Sequence, residues 1–435
     1  MSNKVFFTLL IFSFSFSLIA YSGRNDAQSL LERGKALMEI GKHEEGSRLI
    51  QKAADQDLPE AIFWLGYAGA GKGKEVSYYE KAAEKGFPRA FELLFDQILF
   101  QAGSDADVIK AHKFAEIARK LNVQFNDSTT KLQIIDRCFE AGSHDIPAED
   151  RPTEEEKKSF KALKASCDFF KEGLGVPRDL IKYRKCLLSY EEDIDNNFLA
   201  EIYANGWGVK RNARLALALV CHGSGVTAEL YGLVGTLYST KDQAKLKKDF
   251  LFCDHVTSGM GAGVCAAKNA DIGKKKREIE FEQLVFKWTE TQKRLFADVR
   301  KEASRFFSEH AREEMDMSGT SRDQIAINEE EMLQDEFIKS FKAFEEGVFP
   351  NDTDFKKADA ELNLIYSRLM KQKVLESLTV TKAGIKGTQR KWLKYRDALT
   401  EFALAKYPTT RADGWKTWMT KKRVEQLRTL EDWYQ

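Results

Sequence analysis

The chain has 435 residues, only seven prolines, and 68 basic against 67 acidic side chains. That length accommodates two or three domains with a sizeable core, and with the charges nearly cancelling nothing in the global balance calls for nucleic acid as a partner. Scarce proline and abundant Ala, Leu, Glu and Lys predict an all-α fold.

The N-terminus carries Lys4 and then an apolar run from Val5 to Tyr21 that ends in small residues at Ala20 and Ser22. This pattern predicts a secretory signal peptide, residues 1–22, cleaved after Ser22. An uncleaved N-terminal anchor is the alternative, because the run approaches the ~18 residues that span a bilayer. No comparable apolar stretch follows, so no transmembrane segment is expected in the mature chain, which is placed in the periplasm or outside the cell. All six cysteines (Cys138, Cys167, Cys186, Cys221, Cys253, Cys265) lie beyond the signal. In an oxidising compartment an even set pairs. Cys253 and Cys265 flank a glycine-bearing segment that could turn the chain back, which makes them the first candidate disulfide; Cys167 and Cys186 could bridge two helices of one hairpin.

The stretch "WLGYAGAGKGKE" (64–75) nearly spells a phosphate-binding loop, with Gly66, Gly71 and Lys72 at the required spacing. Gly73, however, stands where a hydroxyl must hold magnesium, and the residues before it form an amphipathic helix rather than a strand. A repeat explains it better. "KAADQDLPEAIFWL" (52–65) recurs as "KAAEKGFPRAFELL" (81–94), and "FFKEGLGVPRDLIKYRKCL" (169–187) recurs as "IYANGWGVKRNARLALALV" (202–220). Periods of this size mark stacked helix hairpins. With Leu199, Tyr203, Gly206, Gly208, Val209, Asn212 and Ala216, the second string resembles the Sel-one-like repeat, a relative of the tetratricopeptide repeat. The resemblance implies an N-terminal α-solenoid of helix hairpins, residues 27–275, that serves as a protein-binding scaffold. A polar, proline-bearing connection is expected near 141–158, and the region from Phe95 to Ser166 matches the repeat poorly.

From residue 276 to 435 the sequence predicts longer, highly charged amphipathic helices, with a core module at 355–435. In "ADAELNLIYSRLM" (358–370), Leu362, Tyr366 and Leu369 share one helical face beside Asn363. In "GTQRKWLKYRDALTEFALAKYP" (387–408), Gln389, Trp392 and Arg396 fall on one stripe, which sets a guanidinium next to an indole; the two stripes should face each other. These strings resemble the lysozyme-inhibitor LprI-like family. Its patterns are carried by Leu362, Asn363, Tyr366 and Leu369, and by Gln389, Trp392, Leu393, Tyr395, Arg396, Asp397 and Ala398. The resemblance implies an exported helical domain that binds a protein, with lysozyme inhibition as the namesake activity. The family's usual cysteine after Arg-Asp-Ala is absent here, where Leu399 and Thr400 stand. A shift of 96 positions sets Phe296 against Trp392, Arg300 against Arg396 and Phe306 against Phe402, as in a diverged half-module.

Charge divides this region into an acidic stretch, Glu309 to Glu336, and a basic end, Lys386 to Gln435. Either the two complement one another within the fold, or the acids, Glu329, Glu330 and Glu331 among them, dock a cationic partner. Trp415 and Trp418, three apart among lysines, would present an aromatic-basic surface or pack in the core. Chemistry is harder to find. The six histidines (His43, His112, His144, His222, His255, His310) form no close metal pair, and "CHGSG" (221–225) lacks the nucleophile elbow. "CDHVTSGMGAGVC" (253–265) has no dinucleotide-binding context. The sequence therefore predicts no enzyme, no catalytic or metal-ligating residue and no cofactor, but a binding scaffold of the bacterial cell envelope whose partner is another protein, a lysozyme in the first instance. A cell-wall enzyme, or a regulatory subunit acting on peptidoglycan, is the alternative.

Overall fold

A computed structural model describes residues 26–67, 75–100, 104–163, 166–190, 195–376 and 379–434, and among these every regular element is helical. The chain divides into two compact units, Met1–Arg151 with Tyr190–His255, and Pro152–Ser189 with Val256–Gln435. The expected signal peptide and the Gly71 to Gly73 part of the phosphate-loop pattern lie outside the described residues.

The first unit holds α1 (26–39), α2 (His43–Ala54), α3 (Pro59–Tyr67), α4 (Glu75–Glu84), α5 (Pro88–Phe100), α6 (Asp105–Lys120), α7 (Ser128–Ala141), α11 (Asn196–Asn205), α12 (Ala213–Cys221) and α13 (Thr227–Ser239). From α2 to α7 each helix packs on the next, and α7 also packs on α12 and α13. The repeat accounts for this. Ala53, Ala61, Ala82, Ala83 and Ala90 have no solvent exposure, and such small side chains let helix backbones approach. Pro59 and Pro88 open α3 and α5, where a missing N–H costs nothing. Just before them, the equivalent residues Asp57 (φ 67°) and Gly86 (φ 80°) are both left-handed, and each donates its N–H over 2.8 Å to the carbonyl three residues back, of Ala54 and of Ala83. Asn122 (φ 51°) closes α6 in the same way, through the Arg119 carbonyl at 3.0 Å, although its surroundings do not match the repeat in sequence. Asp and Asn tolerate this conformation better than other residues with a side chain.

The second unit holds α8 (Glu154–Leu163), α9 (Asp168–Glu172), α10 (Leu180–Leu188) and α14 to α19: Gly259–Val285, Glu290–Glu313, Arg322–Glu345, Phe355–Lys371, Lys382–Lys406 and Ala412–Trp433. The expected boundary at 275/276 falls inside α14, an unbroken helix. The glycines of "SGMGAG" do not turn the chain back either. They form the first turns of α14, capped by the Ser258 hydroxyl, which accepts from the Gly261 N–H at 3.1 Å. A Cβ on Gly259 would stand 2.4 Å from the Thr320 backbone, so close approach is what glycine supplies there.

The G-x-G-V echo is reproduced bond for bond, with one copy in each unit. In one, the Asn212 N–H donates to the Tyr203 carbonyl at 2.9 Å and the Arg211 Nε donates to the Ala204 carbonyl at 2.8 Å. In the other, Asp179 donates to Phe170 at 2.8 Å and Arg178 to Lys171 at 3.0 Å. Asn212 and Asp179 then cap the helix that follows, their side chains accepting from backbone N–H groups.

The last six helices form two three-helix halves. α14 packs on α16 as α17 packs on α19, α15 on α16 as α18 on α19, and α15 and α18 lie together at the centre. Phe296 meets Phe402 at 5.5 Å while Phe306 meets Tyr395 at 6.0 Å, so these two helices run antiparallel. Under the 96-residue shift, that is the pairing a local two-fold produces. Aromatic rings from α15, α16, α18 and α19 fill the core, and burial of this apolar surface holds the helices together, with no cysteine beyond Cys265. The α17 stripe packs chiefly on α19 rather than facing the α18 stripe as expected.

Candidate functional site

Four charged side chains meet inside the C-terminal unit. Arg423 projects from α19 into an otherwise apolar stripe formed by Trp415, Met419, Leu427 and Leu430. Its Nη1 and Nη2 donate to Glu314 Oε2 and Oε1 at 2.7 and 2.6 Å, and its Nε donates to Gln389 Oε1 of α18 at 2.9 Å. Neither Arg423 nor Glu314 has any side-chain exposure. His310, one turn before Glu314, points Nδ1 at Glu314 Oε2 (2.7 Å) and Nε2 at Glu329 Oε1 of α16 (3.1 Å). Ionised carboxylates only accept, so these two contacts favour the doubly protonated, cationic imidazole. Burial opposes that charge, but the bonds to Glu314 and Glu329 outweigh it and raise the His310 pKa. For Glu314 burial likewise favours the neutral form, yet the charge of Arg423 prevails and holds its carboxyl below the ordinary range. Two cations and two anions thus neutralise one another and tie α15, α16, α18 and α19 together.

This network lies beneath a cleft of about 420 Å³. Half-buried Trp418 and exposed Met332 and Trp433 line its mouth, together with the charged Glu336, Glu425 and Lys422. The Lys422 ammonium stands 4.6 Å from the Trp418 ring, a cation–π contact at the rim. An amphipathic hollow of this kind can seat a side chain or a helix edge of another protein.

The acidic stretch and the basic end meet each other. Glu309 pairs with Lys391 at 2.5 Å, Glu314 with Arg423, and Glu336 with Lys422 at 3.5 Å. Glu329 is taken by His310, Glu331 by Arg277 at 2.6 Å, and Glu330 is half-buried near Arg312, its pKa raised by burial. These three acids therefore do not form an open docking face. Trp415 does not belong to a partner surface either: it is 1% exposed, stacks on Tyr407 and donates Nε1 to Thr410 at 2.8 Å.

Of the family-pattern positions, Leu362, Trp392 and Tyr395 are core residues, and Tyr366 packs at the core's edge. Asn363 is exposed and donates to Asp359 at 3.0 Å. The Arg396 guanidinium lies 5.2 Å from the Trp392 ring and donates to exposed Asp397. Gln389 alone among them reaches the buried network. His310, Glu314 and Arg423 escaped the sequence reading, although an arginine interrupting an apolar helical stripe is a visible signal.

Elsewhere, Gly66 sits within α3, not after a strand. Cys221 of "CHGSG" is bonded to Cys138, and Cys167 to Cys186. Cys253 and Cys265 are each disulfide-bonded as well, and no described cysteine is free. Two histidines with no close pairing in the sequence do meet in space: the rings of His144 and His222 stack at 3.9 Å beside Asp105. Among the described residues no helix is long and apolar enough to cross a membrane.

Residues 351–427 match the family described as lysozyme inhibitor LprI, so the α17 to α19 half carries an LprI-type domain. Among solved structures, the chain is similar to a protective antigen present in uropathogenic Escherichia coli strains, described as displaying an SLR fold. The two are 18% identical, 97% of this chain and 93% of that chain are covered, and the TM-score is 0.23. No curated protein matches the chain.

Proposed function

We propose that this is an exported, non-enzymatic binding protein of the bacterial cell envelope whose C-terminal helical unit engages a protein partner, a lysozyme-type muramidase first. The observation that carries this reading is the LprI match over residues 351–427. The apolar run at the N-terminus, with its cleavage pattern after Ser22, and the disulfide-bonded cysteines support export to an oxidising compartment. The hairpin stack of the first unit supports a scaffold role. The cleft beside Arg423 is the surface best suited to the partner: tryptophan and methionine at its mouth supply contact area, while exposed Glu425 at the rim favours a cationic protein.

The test is lysis of a cell-wall suspension by lysozyme, titrated with signal-free full-length protein and with a Met332→Ala/Trp433→Ala variant. Dose-dependent inhibition by the parent that weakens in the variant is expected. No inhibition at a large molar excess would remove the muramidase reading, and equal inhibition by the variant would move the contact away from the cleft.

A further inference from the structure

Three segments far apart in sequence converge in the repeat unit. Asp105 is the first residue of α6, His144 follows α7, and His222 follows directly on α12. The Cys138–Cys221 disulfide clamps α7 to α12 one residue before His222, and so holds the two imidazoles together. His144 Nδ1 lies 2.7 Å and His222 Nε2 3.3 Å from the same oxygen, Asp105 Oδ1. One donor atom from each residue can be chosen so that all three lie within 4.8 Å of one another.

The His222 side chain is 1% exposed. Its Nδ1 stands 2.7 Å from the Ala218 carbonyl, which can only accept, so Nδ1 carries a proton. Nε2 faces the Asp105 carboxylate and the Ser104 backbone, yet no well-formed hydrogen bond satisfies it. A buried ring nitrogen so weakly satisfied demands an explanation. An imidazole fixed through one nitrogen by a backbone carbonyl, with the other directed at a carboxylate and a second imidazole, is the usual posture of a metal-ligating histidine. Ligand atoms of a tetrahedral site with bonds of about 2.0–2.1 Å stand roughly 3.3 Å apart. The His222 to Asp105 separation fits, and the His144 to Asp105 contact must open by about half an ångström.

We propose that Asp105, His144 and His222 bind one divalent transition-metal ion, zinc in the first instance, with solvent in the remaining position. Two imidazoles and one carboxylate form a borderline donor set that suits zinc, cobalt or nickel better than calcium or magnesium. The ion cross-links the start of α6 to the ends of α7 and α12.

The experiment uses the untagged full chain, stripped with a chelator and titrated with zinc by calorimetry, with cobalt as a spectroscopic probe. One equivalent of zinc, and visible cobalt bands of a four-coordinate nitrogen–oxygen site, are expected. His222→Ala and His144→Ala should each weaken zinc beyond the about 10–100-fold loss caused by changes to outer-shell partners. Asp105→Asn keeps the side chain's shape and should do the same, while His43→Ala, at an exposed position on α2, should leave binding intact. Circular dichroism and thiol titration confirm that each variant is folded and oxidised. Failure of the parent to take up zinc or cobalt stoichiometrically overturns the proposal, as does uptake undiminished in folded Asp105→Asn and His144→Ala.

Discussion

Arg423 and Glu314 form a two-pronged ion pair, at 2.6 and 2.7 Å, from which solvent is wholly excluded. The pair joins α19 to the end of α15 and so connects the two three-helix halves. Such a pair adds little net stability, because withdrawing both charges from water offsets most of their attraction, yet breaking it by removing one partner is costly.

That asymmetry can be measured. Glu314→Ala or Arg423→Ala leaves an uncompensated buried charge and should destabilise the C-terminal unit by about 3–5 kcal/mol. Glu314→Leu combined with Arg423→Met removes both charges and should lose markedly less. Urea denaturation followed by tryptophan fluorescence reads this out, since Trp392 and Trp415 lie in that core. Single variants no worse than the double would mean that the cost is steric rather than electrostatic.

The pH dependence follows from His310. Its pKa is higher in the folded chain than the unfolded value of about 6.5. The native state therefore holds an extra proton between the two values, and stability must fall as pH rises. The contribution is complete below about pH 6.5 and disappears as pH passes the folded pKa. His310→Gln should lose stability relative to the parent at about pH 6, and the gap should narrow as pH rises through the folded pKa. A gap that does not change with pH would show that His310 carries no linked proton.

What could be read from the sequence depended on whether the physics was local. The helix-hairpin repeat with Gly206, Gly208 and Asn212 was legible because each such turn is settled within a short run of chain. The apolar stripes of α17 and α18 were legible because helical spacing sets which residues share a face, whereas the helix that each stripe meets was not. Arg423, Glu314 and His310 were not, since each depends on which helices meet in space. The same holds for His144 and His222, which only the Cys138–Cys221 bridge and the packing of α7 on α12 bring together. Trp415 and Trp418 differ for a similar reason: three residues apart on one helix, both meet Phe344, yet Trp415 also stacks on Tyr407 inside the core while half-buried Trp418 reaches the cleft mouth.

The disulfides should differ in their effect. Cys138–Cys221 closes a separation of 83 residues and Cys167–Cys186 one of 19. If loop entropy of the unfolded chain dominates, removing the first by a double Cys→Ser change should cost about 4–5 kcal/mol and removing the second about 3 kcal/mol. Thermal unfolding of the two double variants, compared with the parent, tests the order. The reverse order would assign the effect to native packing around α9 and α10 instead.

The repeat turn offers the most direct test of sequence against conformation. Gly206 ends α11 at φ 72°, and a Cβ there would lie 3.2 Å from the Val209 carbonyl oxygen and 3.3 Å from the Arg211 nitrogen. Both the left-handed backbone and the crowded turn oppose a side chain, so Gly206→Ala should destabilise the repeat unit by about 1–2 kcal/mol. Asparagine tolerates the left-handed region better than alanine, and if backbone strain dominates, Gly206→Asn should lose less despite its greater bulk. If crowding against Val209 and Arg211 dominates, asparagine will be the worse of the two. Chemical denaturation of the two variants separates these causes, and the Asp57 and Asn122 turns, which already hold side chains at positive φ, favour the first.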